Sequence, residues 1–381
     1  MELVWGTKDF VIAGQPYQGF PILLWDSMES CSQANQFFRY YLLRGAIGSK
    51  ESWPSTGRAL FDFFSFLQAH DLDWRDVDRG EAKSLVAAYR NYCLVTCELA
   101  RSTTGQRLTY ICRFYEFALD KGWVSRLPFG HEERIVPRET SSLEHVDTSG
   151  GKALVNDVMP RRHKLLPKFL SMSQTKSIMA VADNPHHRIM IQLALRTGLR
   201  RNELATFPVA YVFDPDKDGR PERNLCIRLD PSDGSGMETK GNKERDIRIS
   251  RKFMAELHRY VTKVRGERAS LGKDQKALLL NHLGEAYGSA GKSLNRIIRD
   301  TGKLAGVQVH AHMLRHTYAT HTLVNLQRNP QSGTDPLVFL QRQLGHSSIN
   351  TTMIYLHLIN EIADEAVLAY DDELNEMAGA A

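Results

Sequence analysis

The feature that most limits what this chain can fold into is a stretch near its middle where apolar periodicity disappears. Over 130–165 the sequence is polar and rich in breakers, with Pro137, Thr140-Ser141-Ser142, Ser149-Gly150-Gly151 and Pro160, and it reads as a linker. On either side apolar residues recur three and four apart, the spacing of one helix face. Before the linker one stripe runs through Phe37, Phe38, Tyr41 and Leu42, and a second through Leu60, Phe63, Phe64 and Leu67, entered at Trp53-Pro54-Ser55-Thr56. A helix around Ala82–Leu99 follows, then one capped by Ser102-Thr103-Thr104 with Leu108, Ile111, Cys112, Tyr115 and Leu119 as its stripe. Residues 31–129 thus predict an all-helical bundle, preceded over 1–30 by an irregular arm. A second domain is expected over 166–360. It has helices near Ser173–Asp183 and His187–Thr197, and alternating strand patterns over Asn224–Leu229 and Asp246–Ile249. The turn-forming Lys240-Gly241-Asn242-Lys243 between those strands makes a hairpin plausible. The expected fold class is mainly α with a small antiparallel β-sheet (α+β). Two domains also suit 381 residues at roughly 150 per domain.

Composition narrows the setting. No run of about 18 apolar residues occurs, so no membrane span is expected. The start, Met1-Glu2-Leu3-Val4-Trp5, lacks signal-peptide character, and the expected location is the cytoplasm, at the nucleoid. Cys31, Cys93, Cys97, Cys112 and Cys226 are too few and scattered for a disulfide framework, and no second Cys/His pair near Cys93 and Cys97 completes a metal site. The net charge is +5, yet from Leu356 onward there are seven acids and no Lys or Arg, which leaves +12 on the remainder. A basic body suits a polyanion such as nucleic acid. Arg161, Arg162 and Lys164 at the end of the linker either follow a phosphate backbone or are simply solvated.

Four segments of the second domain carry chemistry. They are Arg196-Thr197-Gly198-Leu199-Arg200-Arg201-Asn202-Glu203-Leu204, Thr239-Lys240-Gly241-Asn242-Lys243-Glu244-Arg245, His312-Met313-Leu314-Arg315-His316, and Leu344-Gly345-His346 continuing to Tyr355. Guanidiniums are permanent charges that can grip a phosphate with paired hydrogen bonds. Glu203 lies three residues after Arg200, so a helix puts the two side by side. His312 and Arg315, also three apart, are expected to face one site, with His316 turned elsewhere as a packing residue. Histidine can exchange protons near neutral pH, whereas a tyrosine phenol, with a pKa near 10, needs nearby cations or a base to act as a nucleophile.

In order and type these segments resemble the tyrosine recombinase (phage integrase) family, which includes the Xer and Cre recombinases. The resemblance covers about 166–360, and the helical block at 31–128 is similar to that family's core-binding domain. It implies a site-specific recombinase that cuts and rejoins double-stranded DNA through a 3′-phosphotyrosine and a Holliday junction. By that likeness Tyr355 is the nucleophile, Arg200 and Arg315 are the catalytic arginines, and His312 is a proton acceptor or phosphate ligand. His346 donates to the phosphate, and Glu203 supports Arg200. Lys240 is matched to the leaving-group acid, with Lys243 its rival. Arg201 and Lys243 join Arg161, Arg162 and Lys164 as candidate DNA contacts.

The implied scheme needs no cofactor and no metal. The apolar residues Ile362, Ala366, Tyr370, Leu374 and Met377 step at helical spacing. The resemblance gives this 361–381 tail the task of docking on a neighbouring protomer, so that dimers close into a tetramer on DNA; the alternative is a helix folded back on its own domain. Accessory proteins are a further possible partner. Two other readings stay open, a type IB topoisomerase-like relaxing enzyme and a catalytically idle DNA-binding protein of the same fold. The polar stretch 327–336 is longer than the family's usual connection.

Overall fold

The structure, a computed structural model, describes residues 1–44, 50–78, 84–136, 151–161, 166–219, 221–272, 275–288, 291–328, 335–356 and 358. The chain divides into two compact units, Met1–Arg138 with Leu143–Lys164, and a second running from Leu165 onward.

The first unit is a helical bundle with an ordered N-terminal arm. In that arm β1 (Glu2–Trp5) pairs antiparallel with β4 (Pro21–Leu24), Leu3 opposite Leu23, and β2 (Val11–Ile12) pairs with β3 (Gln15–Pro16). The arm expected to be irregular is therefore built from short strands. The β1 and β4 partners lie some twenty residues apart, beyond the reach of local periodicity, and β2 and β3 are too short to show a period. The Asn35 side chain stands in for a further strand: its carboxamide oxygen accepts from Leu23 N at 2.8 Å and its amide donates to Leu23 O at 2.8 Å. The bundle comprises α1 (Ser32–Leu43), α2 (Trp53–Ala69), α3 (Leu85–Asn91) and α4 (Arg101–Asp120), with a π-turn at Tyr92–Thr96 after α3. Phe20 and Leu23 from the arm join Phe37, Phe63, Phe64, Tyr89, Leu108, Ile111 and Tyr115 in one core, each large apolar side chain contributing about 1.5–3 kcal/mol by burial. Leu119, the last residue of the expected α4 stripe, is exposed. The stretch read as a linker contains β5 (His131–Val136) and β6 (Gly151–Asn156), antiparallel to one another and within the first unit. Residues 137–150 and 162–165 of that stretch, with Arg162 and Lys164, lie outside the described residues.

The second unit is helical around one two-stranded sheet. α5 (Met172–Val181) starts at a capping box between Ser171 and Gln174, and α6 (Pro185–Thr197) at Asn184. The short α7 (Arg201–Thr206) leads to β7 (Asn224–Leu229) and β8 (Arg245–Ser250), paired antiparallel with Ile227 opposite Ile247. Alternation decides their faces: Leu225, Ile227, Leu229, Ile247 and Ile249 are buried, and the residues between them are largely exposed. Ser250 then caps α8 (Arg251–Lys263), followed by α9 (Gly266–Ala269), α10 (Lys292–Leu304), α11 (Ala311–Arg328) and α12 (Pro336–Leu344). Residues 349–356 are helical. The main core joins Ile191, Leu193, Leu204, Phe253, Leu257 and Leu314 to the inner sheet face. A smaller cluster of Ala319, Leu323, Leu340, Leu344, Tyr355 and Leu358 ties α11 and α12 to the 349–358 region. Most of the polar 327–336 stretch and the whole 361–381 tail fall outside the described residues. Among the described residues no helix is long and apolar enough to cross a membrane.

Candidate active site

Two helix ends build the site. α6 and α12 both stop at a glycine in the left-handed conformation, Gly198 and Gly345, each with φ 65°, the common C-terminal cap of a helix. A side chain is excluded at both: a Cβ on Gly198 would come within 2.5 Å of the Tyr318 ring, and one on Gly345 within 2.5 Å of Arg245 Cδ. The carbonyls left over at these ends are partly negative and attract guanidiniums. Arg315 donates to Gly198 O at 2.6 Å and to Leu344 O at 2.8 Å, and Arg200 donates to Gly345 O at 2.8 Å. The Thr-Gly-Leu-Arg and Leu-Gly-His segments are thus two copies of one device, a chain stop followed within two residues by a polar group at the site.

Arg200 sits at the start of α7, where the Glu203 side chain reaches back to cap its backbone N–H. The Glu203 carboxylate accepts from Arg200 N at 2.7 Å and from Arg200 Nη1 at 2.9 Å. It also accepts both arms of Arg245, at 2.6 and 2.7 Å. Although burial alone would raise it, the Arg245 and Arg200 guanidiniums hold the Glu203 carboxyl down at about 2. Arg245, two residues past Lys243, is a member of the cluster that the sequence reading did not single out.

His346 follows Gly345 and lies against Arg315, Nη2 to Nε2 at 3.1 Å, with Nδ1 2.9 Å from Thr352 Oγ1. Burial and the cations Arg315, Arg200 and Arg245 lower it to about 3, so the ring is neutral. Arg315 is itself pushed down, by burial and then by Arg200, to about 9, and stays charged at neutral pH.

Tyr355 is 1 % exposed. Its ring stacks on His346, with centroids 6.4 Å apart and planes within 7°. Its hydroxyl meets Nδ1 of His316 at 2.9 Å. The expectation that His316 faces away as a packing residue is therefore corrected. On α11 the residues sharing a face are His312 and His316, four apart, with ring centroids at 4.4 Å, while Arg315 points inward to the two helix ends. Burial, then His312 and Arg315, drive His316 down to about 3, so it meets the phenol as a neutral imidazole. Arg315 and Arg200 favour the phenolate, but burial outweighs them and the Tyr355 pKa is raised. His312 keeps solvent access, and its pKa is lowered by desolvation and Arg315.

The structure brings Arg200, Glu203, Arg315, His346 and Tyr355 into one cluster, with His312 joined to it through His316. It does not bring in Lys240, which is exposed on the short helical turn Lys240–Asn242 where Gly241 has φ 73°. Lys243, Arg201 and Arg161 are likewise exposed. Electrostatically the cluster is unbalanced: three guanidiniums face one carboxylate and the histidines are neutral, leaving two positive charges for an anion. Such a site can hold a phosphate group and stabilise charge gathering on its oxygens beside a phenol.

A tyrosine held this way beside an anion-seeking cage is the arrangement of a tyrosine recombinase. The profile of the phage integrase family matches residues 168–361, just over half of the chain, and the chain belongs to that family. It is 26% identical over 345 residues to a protein named tyrosine recombinase XerD from Rickettsia conorii, covering 88% of this chain and 97% of that one. Among solved structures it is similar to the XerH site-specific recombinase bound to a palindromic difH substrate, with TM-score 0.56, 17% identity and coverage of 84% and 80%. It is also similar to a lambda integrase fragment dimer bound to a core site, with TM-score 0.56, 14% identity and coverage of 85% and 94%. These two likenesses are of fold.

Proposed function

We propose that this tyrosine recombinase cuts and rejoins DNA at specific sites, with Tyr355 as the nucleophile and Arg200, Arg315 and His346 as the phosphate cage. The observation that carries the reading is the cage's surplus of two positive charges next to the buried phenol. In the first step the Tyr355 oxygen attacks the scissile phosphorus, the bond to the 5′-oxygen breaks, and a 3′-phosphotyrosine forms. With an anionic phosphate in the cage offsetting the cations that depress the rings, the phenol proton passes to a neighbouring imidazole: His316 already touches the hydroxyl, and His312 is the next ring outward. The departing 5′-oxygen takes a proton from Lys240, whose exposed turn lets it approach DNA from outside. A 5′-hydroxyl of the exchanged strand later attacks the phosphotyrosine and releases Tyr355. In this reading strand exchange passes through a Holliday junction, with protomers assembled on DNA as dimers and a tetramer joined by the 361–381 tail. Arg201, Lys243, Arg161, Arg162 and Lys164 add phosphate contacts that position without reading sequence.

The test uses a pool of nicked duplexes with a randomised core. The wild-type chain is expected to yield SDS-resistant adducts enriched in one core sequence, and Tyr355→Phe none. Adducts without sequence enrichment favour a relaxing enzyme. Absence of any adduct, with retained DNA binding, refutes the catalytic reading.

A further inference from the structure

Arg245 ends one of the four chemistry-bearing segments and touches two of the others, at Glu203 and at Gly345. Its side chain is 9% exposed and that of Glu203 is 1% exposed. The two carboxylate oxygens of Glu203 accept four hydrogen bonds: Oε1 from Arg200 Nη1 and Arg245 Nη1, Oε2 from Arg200 N and Arg245 Nη2. A carboxylate offers about four lone-pair sites, so this one is filled. The stem of Arg245 lies beneath the Gly345 turn, whose absent Cβ would strike its Cδ at 2.5 Å. Its Nε points at Gln343 O at 3.4 Å, and Gln343, also buried, accepts from Arg248 N and donates to Arg248 O along β8.

The consequence for Arg200 follows from charge. A buried carboxylate with a single counter-ion draws that guanidinium fully onto itself, because an uncompensated buried charge is expensive. With Arg245 supplying a bidentate grip, Arg200 gives Glu203 one side-chain bond and Gly345 O another, which together engage only two of a guanidinium's roughly five N–H donors. We propose that Arg245 is a positioning residue for cleavage: by saturating Glu203 and seating the Gly345 turn, it frees Arg200 to serve the phosphate. It does not itself touch DNA. This inference rests on the cleavage reading above.

The experiment measures single-turnover adduct formation, at saturating enzyme, on the nicked duplex recovered from the pool. It compares wild type, Arg245→Gln, Arg245→Lys, Glu203→Gln and the Arg245→Gln/Glu203→Gln double variant. Arg245→Gln is expected to slow adduct formation about 100-fold with DNA affinity within about threefold of wild type. Arg245→Lys keeps the charge but loses the planar fork, and is expected to slow it at least about tenfold. The double variant should be no slower than the worse single one, because both changes disable one unit. On a duplex whose scissile phosphate is a neutral methylphosphonate, the gap between wild type and Arg245→Gln should shrink toward one, since less charge needs neutralising; a variant that had merely lost its fold would be slow on both substrates. Wild-type rates in Arg245→Gln, multiplicative losses in the double variant, an undiminished gap on methylphosphonate, or a loss confined to affinity would each overturn the proposal while leaving the cleavage reading intact. Absence of wild-type adduct would sink both.

Discussion

Lowering the pH from 7 to 5.5 tests the electrostatic picture of the site. His316 and His346 both sit near 3 in the folded chain against 6.5 as free side chains. A group whose folded pKa is depressed binds more protons when unfolded, so between those values stability rises with pH and is lost on acidification. The magnitude over this window depends only on the folded values lying well below 5.5, not on their depth. Each histidine then costs roughly 1.3 kcal/mol between pH 7 and 5.5, or about 2–3 kcal/mol for the pair, trimmed somewhat because both rings are partly exposed. His186, His187, His310 and His312 are shifted the same way and add to the trend. All five tryptophans, Trp5, Trp25, Trp53, Trp74 and Trp123, belong to the first unit, so tryptophan fluorescence reports the wrong one. Urea-dependent hydrogen exchange, read on peptides from α6, α11 and α12, reports the second. Wild type is expected to lose at least about 2 kcal/mol there, and a His316→Asn/His346→Asn variant about 2 kcal/mol less than wild type loses. Equal losses in the two proteins, or none in either, would refute the claim that burial among cations keeps these rings neutral.

Three further outcomes follow from the geometry. Gly345→Ala forces a left-handed backbone on a side chain and drives a methyl into Arg245; thermal unfolding should show a loss of about 2–4 kcal/mol, with adduct formation lost as well. His316→Ala removes the imidazole that meets the Tyr355 hydroxyl, and single-turnover kinetics should show adduct formation slowed about 100-fold with DNA affinity unchanged; an unaltered rate would return the proton-accepting task to His312. Lys240→Ala should cripple cleavage of an ordinary phosphodiester but not of one whose 5′-bridging oxygen is replaced by sulfur, a leaving group that needs no proton; if Lys243→Ala shows that pattern instead, the leaving-group acid is Lys243.

The helices and the β7–β8 ladder were legible because burial follows local spacing: Leu225, Ile227 and Leu229 alternate in sequence and all lie inward. The β1–β4 and β5–β6 pairs were not, since the residues that satisfy them stand about twenty positions away and leave no periodic trace, and β2 and β3, two residues each, are too short to show a period. The cluster of Arg200, Glu203, Arg315, His346 and Tyr355 was legible because each member lies in a short segment of recognisable type. His316 and Arg245 were passed over for related reasons. On a helix His316 diverges from Arg315, which is correct, but nothing local says that the 349–356 helix covers that divergent face. Arg245 looks like one more surface cation after a lysine-rich turn until the start of β8 is seen to lie beside α7. In both cases the deciding neighbour is remote in sequence.

The most direct measurement of the central claim is the identity of the residue that becomes joined to DNA. After nuclease digestion of the adduct, mass spectrometry of its tryptic peptides should find the nucleotide remnant on Tyr355, linked through a 3′-phosphate. A remnant on any other residue, or one attached through a 5′-phosphate, would contradict the account.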